Sequence, residues 1–163
     1  MAEDLLIGKG TRAEQYEQLL PQIRGLLTGE PDRTANLGNI AAALKEQFGW
    51  LWIGFYEIKP TVAGNDRELV LGPFQGPVAC TRIRKGKGVC GTAWAEARTL
   101  VVPDVEQFAG HIACSSKSRS EIVVPLIRNG EVVAVLDADS EDLNAFDATD
   151  DHYLQTILDL IEW

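Results

Sequence analysis

A chain of 163 residues, 45% hydrophobic and 24% charged, has enough material for one self-contained core. Its 24 acidic side chains outnumber the 15 basic ones, and the net charge of -9 argues against a phosphate-tracking nucleic-acid binder. No stretch approaches the ~20 apolar residues of a membrane span, and the opening MAEDLL lacks the basic start and apolar run of a secretory leader, so the expected location is the cytoplasm.

Residues 11–28 carry Tyr16, Leu19, Leu20, Ile23, Leu26 and Leu27 at helical spacing, with Pro21 expected to kink or split the helix. A second helix, capped by Asp32 or Thr34 and running to about Phe48, presents Leu37, Ile40, Ala41, Leu44 and Phe48 on one face. From Trp50 the period becomes that of strands, predicted over residues 51–58, 68–72 and 78–83. The segment RKGKGVCG (84–91) leads into a short helix at about 92–97, then a strand at 100–102 and a polar loop from Asp104 to Ser118. Two apolar strands, 121–127 and 132–138, flank Asn129-Gly130, a strong hairpin signal. A last helix, about 149–161, has negative charge from Asp147 to Asp151 at its start, where the helix dipole favours it. The expectation is an α+β fold: one antiparallel meander flanked by helices, in a single domain over 1–163 with residues 1–30 as a helical extension.

Three cysteines, Cys80, Cys90 and Cys114, fall within 35 residues. In a reducing compartment clustered thiols point to catalysis, redox sensing or metal binding. Their separations of ten and 24 residues do not resemble the close pairs of structural zinc sites, and His111 and His152 supply no recognisable metal pair, so no metal is expected. Free cysteines are often inert core residues. Cys114 departs from that pattern, lying among Gly, His, Ser and Lys.

Asp137 and Asp139, two apart on a strand, share a face, and counting outward from Asn129-Gly130 brings Glu121 to the same end of the hairpin. Three converging carboxyls can receive a substrate ammonium group, and crowding favours a proton held among them. Trp52 and Tyr56, four apart, also share a face. Amides around Cys114 offer a nest for a substrate carboxylate. His111 is a candidate for orienting the loop or assisting proton transfer, with a structural hydrogen bond as the plainer role. KGKG (85–88) lacks the G-x-x-x-x-G-K-[ST] phosphate-loop pattern, so residues 84–88 read as a flexible connection between Cys80 and Cys90.

Seven ordered segments, WIGFY (52–56), LGPFQG (71–76), ACTRI (79–83), GVCGT (88–92), GHIAC (110–114), SEIVVP (120–125) and VLDADS (135–140), closely resemble the free methionine-(R)-sulfoxide reductases, which are GAF-domain enzymes. The resemblance spans about residues 33–161. One departure is a loop, Lys59 to Arg67, longer than the family pattern. The resemblance implies reduction of the R epimer of free methionine sulfoxide, with Cys114 as nucleophile, Cys80 as the main resolving thiol, and Cys90 as an alternative resolver or relay. It assigns Trp52 and Tyr56 to the pocket for the substrate's methyl group. It also implies no bound cofactor, thioredoxin as external reductant, and a homodimer, for which the apolar face of residues 16–27 is a candidate surface. The competing expectation is a GAF ligand or redox sensor without turnover, because function belongs to a site and not to a fold.

Overall fold

The computed structural model describes residues 4–163. Four helices, α1 (Arg12–Leu27), α2 (Arg33–Phe48), α3 (Gly88–Glu96) and α4 (Ala148–Leu158), accompany a six-stranded antiparallel sheet. The strands are β1 (Trp52–Pro60), β2 (Arg67–Gln75), β3 (Arg82–Ile83), β4 (Leu100–Val102), β5 (Ser120–Arg128) and β6 (Glu131–Ser140). Among the described residues no helix is long and apolar enough to cross a membrane.

The spatial order is β3-β2-β1-β6-β5-β4. The expected single meander is therefore two three-stranded meanders joined through β1 and β6, with Trp52 opposite Asp139 and Gly54 opposite Asp137. This juxtaposition of the first and last strands places the aromatic pair beside the acidic pair.

Alternation along the strands separates two apolar faces. Ile53, Phe55, Ile122, Val124, Leu136 and Ala138 face α1, α2 and α4. Trp52, Tyr56, Val123 and Val135 face the other way, toward α3 and the loops. The helical layer closes through Asp150, buried at 1% exposure, whose Oδ1 accepts from the Tyr16 hydroxyl (2.7 Å) and Arg12 Nη1 (2.9 Å). Burial and the neighbouring Asp150 carboxylate push the Tyr16 phenol far above its ordinary range, so it remains a donor.

Several expectations change. The chain stays helical through Pro21, which lies on the solvent side, where water can serve the carbonyl that proline leaves unpaired. Tyr16, Leu19 and Ile23 are spent inside this core, so that face of the N-terminal helix is not free for a second copy. Residues 78–81 are not strand, and β3 is only Arg82–Ile83. β1 and β2 extend into the presumed long loop, pairing Pro60 with Arg67 and leaving a six-residue turn. Asp32 rather than Thr34 caps α2, accepting from the Ala35 amide, and Gly49 ends it in the left-handed conformation.

Candidate active site

β1 forms one wall of a pocket on the second face. Trp52 and Tyr56 project from it with ring centroids 5.9 Å apart, and Phe74 stacks on Trp52 at 5.2 Å. Between them Gly54 is required by close approach: a Cβ there would lie 2.3 Å from Phe74 Cβ and 2.6 Å from Trp52 Cη2. Trp52 Nε1 donates to the Pro77 carbonyl (3.1 Å), and the Tyr56 hydroxyl donates to the Cys80 carbonyl (2.9 Å). Both aromatic residues thus tie β1 to the irregular segment preceding β3.

That segment ends in a disulfide between Cys80 and Cys114, with Cα atoms 5.5 Å apart. Cys114 comes from the loop between β4 and β5, where its amide donates to the Ile112 carbonyl. Both cysteines are half-buried. Cys90 is free, 4% exposed, on the first turn of α3. Burial pushes its thiol up, and the charges of Asp137, Glu121 and Asp139 add to the effect. Cys90 is therefore held in its unreactive thiol form, apart from the bonded pair.

The acids converge as their strand positions require. Glu121 on β5 lies opposite Asp139 on β6, and Asp137 is two residues along the same face. All three line the pocket. Burial is the main cause pushing each carboxyl up, with like-charge repulsion adding for Glu121 and Asp137. Asp139 reaches only about 6, because Ser118 Oγ donates to its Oδ1 (2.5 Å) and His111 supplies a favourable charge. The Glu121 and Asp137 carboxyls lie within 4.8 Å of each other, a crowding that favours the protonated form of these buried acids. Asp137 Oδ1 is buried without a hydrogen-bond partner among the described residues, which in a native structure marks a place for a missing donor. His111 Nε2 is 3.6 Å from Glu121 Oε2, bringing the cysteine loop over the acids.

Ligand atoms of Cys90, Glu121 and Asp137 lie within 4.8 Å of one another, a donor set compatible with a cation in principle. Metal binding would require those groups to give up protons that burial favours keeping.

The sequence-predicted residues thus meet at one pocket, with Cys90 at its buried side and the Cys80–Cys114 pair bridging two loops. Ser118, Lys87 and Ile112, which also line it, were not anticipated. Gly54 had a legible signal, an isolated glycine between aromatics in a strand. Ser118 had none, since its partner lies 21 residues away. The GKG segment is not the loose connection expected: Gly86 N donates to the Gly91 carbonyl and Lys87 N to the Arg84 carbonyl, locking it against α3.

Comparison with known proteins identifies the family. The GAF domain family model matches residues 33–162. The chain is 62% identical over 162 residues to GAF domain-containing protein A of Dictyostelium discoideum, covering 99% of each. It is 42% identical over 156 residues to free methionine-R-sulfoxide reductase of Saccharomyces cerevisiae, covering 92% of this chain and 85% of the relative. The crystal structure of free methionine-R-sulfoxide reductase from Neisseria meningitidis in complex with its substrate superimposes with a TM-score of 0.91 at 53% identity, covering 96% of this chain and 92% of that one. A GAF domain match over residues 33–162, with identities of 42% and 53% to named free methionine-R-sulfoxide reductases along most of both chains, places the chain in the free methionine-R-sulfoxide reductase family of GAF-domain oxidoreductases.

Proposed function

We propose that the protein reduces free L-methionine-(R)-sulfoxide to L-methionine, using Cys114 as nucleophile and Cys80 as resolving thiol. The observation that carries this reading is the Cys80–Cys114 disulfide at a pocket lined by buried Glu121 and Asp137, half-buried Asp139 and an aromatic pair. The substrate ammonium is assigned to the acids, where Asp137 Oδ1 lacks a donor. The methyl group is assigned to Trp52 and Tyr56, whose stacked rings offer an apolar surface.

In the reduced enzyme the Cys114 thiolate attacks the sulfoxide sulfur while a proton held among Glu121, Asp137 and Asp139 passes to the sulfoxide oxygen. Methionine departs and Cys114 is left as the sulfenic acid. Cys80 then attacks the Cys114 sulfur, expelling water and forming the disulfide. Two thiols and one sulfoxide thereby give one disulfide, one thioether and one water. Thioredoxin restores the dithiol by exchange, with no bound cofactor in the cycle. Residues 1–163 act as one domain, in a cytoplasmic protein working as a homodimer.

The test is NADPH consumption with thioredoxin and thioredoxin reductase, comparing the free R epimer, the free S epimer and an N- and C-blocked R analogue. Turnover of the free R epimer alone is expected. Equal use of the blocked analogue would overturn recognition of the free amino acid, and no methionine release even with dithiothreitol would overturn the reductase reading.

A further inference from the structure

The first turn of α3 sets Cys90 beside two acids of the sheet. Its Sγ and one carboxylate oxygen each from Glu121 on β5 and Asp137 on β6 lie within 4.8 Å of one another, and all three residues are buried. The proposed reduction cycle uses the Cys80–Cys114 pair and leaves this thiol without a task. Its place is nevertheless closely fixed. Gly86 N donates to the Gly91 carbonyl (2.8 Å), and a Cβ on Gly91 would collide with the Arg84 carbonyl oxygen, so the residue after Cys90 fits one seat.

Charge at this point is unbalanced. Among the described residues no Lys or Arg lies within ion-pair distance of Glu121, Asp137 or Asp139, and only His111 Nε2, 3.6 Å from Glu121 Oε2, comes that close. Asp137 Oδ1 is buried with no hydrogen-bond partner among the described residues. A buried carboxylate oxygen of this kind is costly unless a donor or a cation meets it. The substrate's ammonium group supplies a donor but has no use for the sulfur beside it. A metal ion uses both.

We propose that Cys90, Glu121 and Asp137 form a binding site for a thiophilic divalent cation such as Zn2+, and that the bound ion excludes the substrate's ammonium group from the acids. The donors select the ion. Calcium and magnesium take six or more oxygen ligands, whereas zinc takes four, drawn from thiolate, imidazole and carboxylate. Three come from the chain, and His111 lies outside the 4.8 Å set, so the fourth is left to water from the pocket. Ligand atoms around a tetrahedral zinc stand about 3.3–3.5 Å apart, so a side-chain adjustment of about 1 Å closes the set. Binding expels the Cys90 thiol proton and any proton on the two carboxyls into solvent and forms a metal–sulfur bond, with no change of oxidation state. The dication then offsets the carboxylate charge that burial opposes. Neither Cys80 nor Cys114 is a ligand, so the oxidised protein binds the ion as the reduced one does. Competition with substrate rests on the ammonium placement in the reductase reading above.

The experiment has a binding arm and a turnover arm. In the first, Co2+ is titrated into the oxidised protein, where Cys90 is the free thiol among the three cysteines, and the thiolate-to-metal charge-transfer absorption is followed before and after displacement by Zn2+. Saturation at one ion per chain is expected, with affinity lowered about tenfold or more in Asp137→Asn and in Glu121→Gln, and the band abolished in Cys90→Ser. Absence of the band in wild type, or unchanged affinity in both amide variants, would overturn the site. In the second arm, pre-reduced enzyme freed of reductant releases methionine from free methionine-(R)-sulfoxide in a single turnover, with and without Zn2+. At zinc about ten times its dissociation constant, the half-saturating sulfoxide concentration should rise about tenfold with the limiting rate unchanged. Cys90→Ser, compared with its own zinc-free rate, should lose most of that dependence. Equal zinc inhibition of wild type and Cys90→Ser would overturn competition at this site. A cobalt band from Cys90 with no methionine release by zinc-free wild type would overturn the reductase reading while upholding the metal site.

Discussion

The Tyr56 hydroxyl donates a 2.9 Å hydrogen bond to the Cys80 carbonyl, joining the strand that lines the pocket to the segment that bears half of the disulfide. Burial and the surrounding carboxylates keep the phenol protonated, so it serves as a donor and not as a base. Cys80 lies outside any strand, and this bond is one of the contacts that hold its backbone toward Cys114. Tyr56→Phe keeps the ring stacked near Trp52 but removes a hydrogen bond worth about 1 kcal/mol. Under the proposed mechanism it should release the first methionine at close to the wild-type rate and slow the following turnovers about fivefold, through a less well-placed resolving thiol. Rapid-quench and steady-state assays separate the two phases; wild-type steady-state rates would show that the bond does not position Cys80.

The three cysteines should separate cleanly. Cys114→Ser is expected to abolish methionine release, whereas Cys80→Ser should release about one methionine per site and then stop for want of a resolving thiol. Cys90 is unpaired and buried among the acids, so Cys90→Ser should still form the Cys80–Cys114 bond. Thiol titration and mass mapping after one turnover read each outcome. A disulfide to Cys90 in the wild-type protein would reassign the resolving role.

Gly54→Ala tests how the aromatic wall is built. The new methyl would collide with Phe74 Cβ and the edge of Trp52, forcing the indole out of its stack. The proposed pocket then predicts a KM for free methionine-(R)-sulfoxide raised about tenfold or more, with a shift in Trp fluorescence. An unchanged KM and spectrum would show that the strand relaxes without moving Trp52.

The acids make stability depend on pH in a defined direction. Burial raises the folded-state pKa of Asp137 above its unfolded value, so the folded protein binds the extra proton and Asp137 contributes less stability as pH rises through that interval. Asp137→Asn removes the cost of ionising the group in place. Its Tm should exceed that of wild type at pH 8, by about 2–4 °C for each kcal/mol gained, and the gain should shrink toward pH 5. The same substitution should impair use of the substrate under the proposed pocket chemistry. A Tm difference independent of pH would mean that Asp137 is not protonated on folding.

On the opposite face, Asp150→Ala should be damaging for the fold alone. It leaves Arg12 and Tyr16 without their shared acceptor and removes the Asp150 Oδ2 partner of the Asp147 amide, which closes the α4 capping box. Removing one partner of such a buried network costs about 3 kcal/mol. Urea denaturation measures it, and a midpoint unchanged from wild type would show that the α1–α4 junction does not depend on this carboxylate.

Local chemistry was enough to place most helices and the β5–β6 hairpin, because helical spacing, caps and Asn129-Gly130 act over a few residues. Period-two alternation likewise put Asp137 with Asp139 and Trp52 with Tyr56 on shared faces, and the hairpin register brought Glu121 to the acids. The sequence resemblance also named the thiol pair that the structure joins. Only tertiary structure decided that β1 lies against β6, setting Trp52 across from Asp139, since that pairing spans most of the chain and no local pattern encodes it. It likewise decided that Cys90 is buried beside the acids, that Ser118 bonds Asp139, and that Asp150 faces Arg12 and not water. Burial and long-range partners arise only when separate elements pack, and they set the protonation and reach of each side chain at this site.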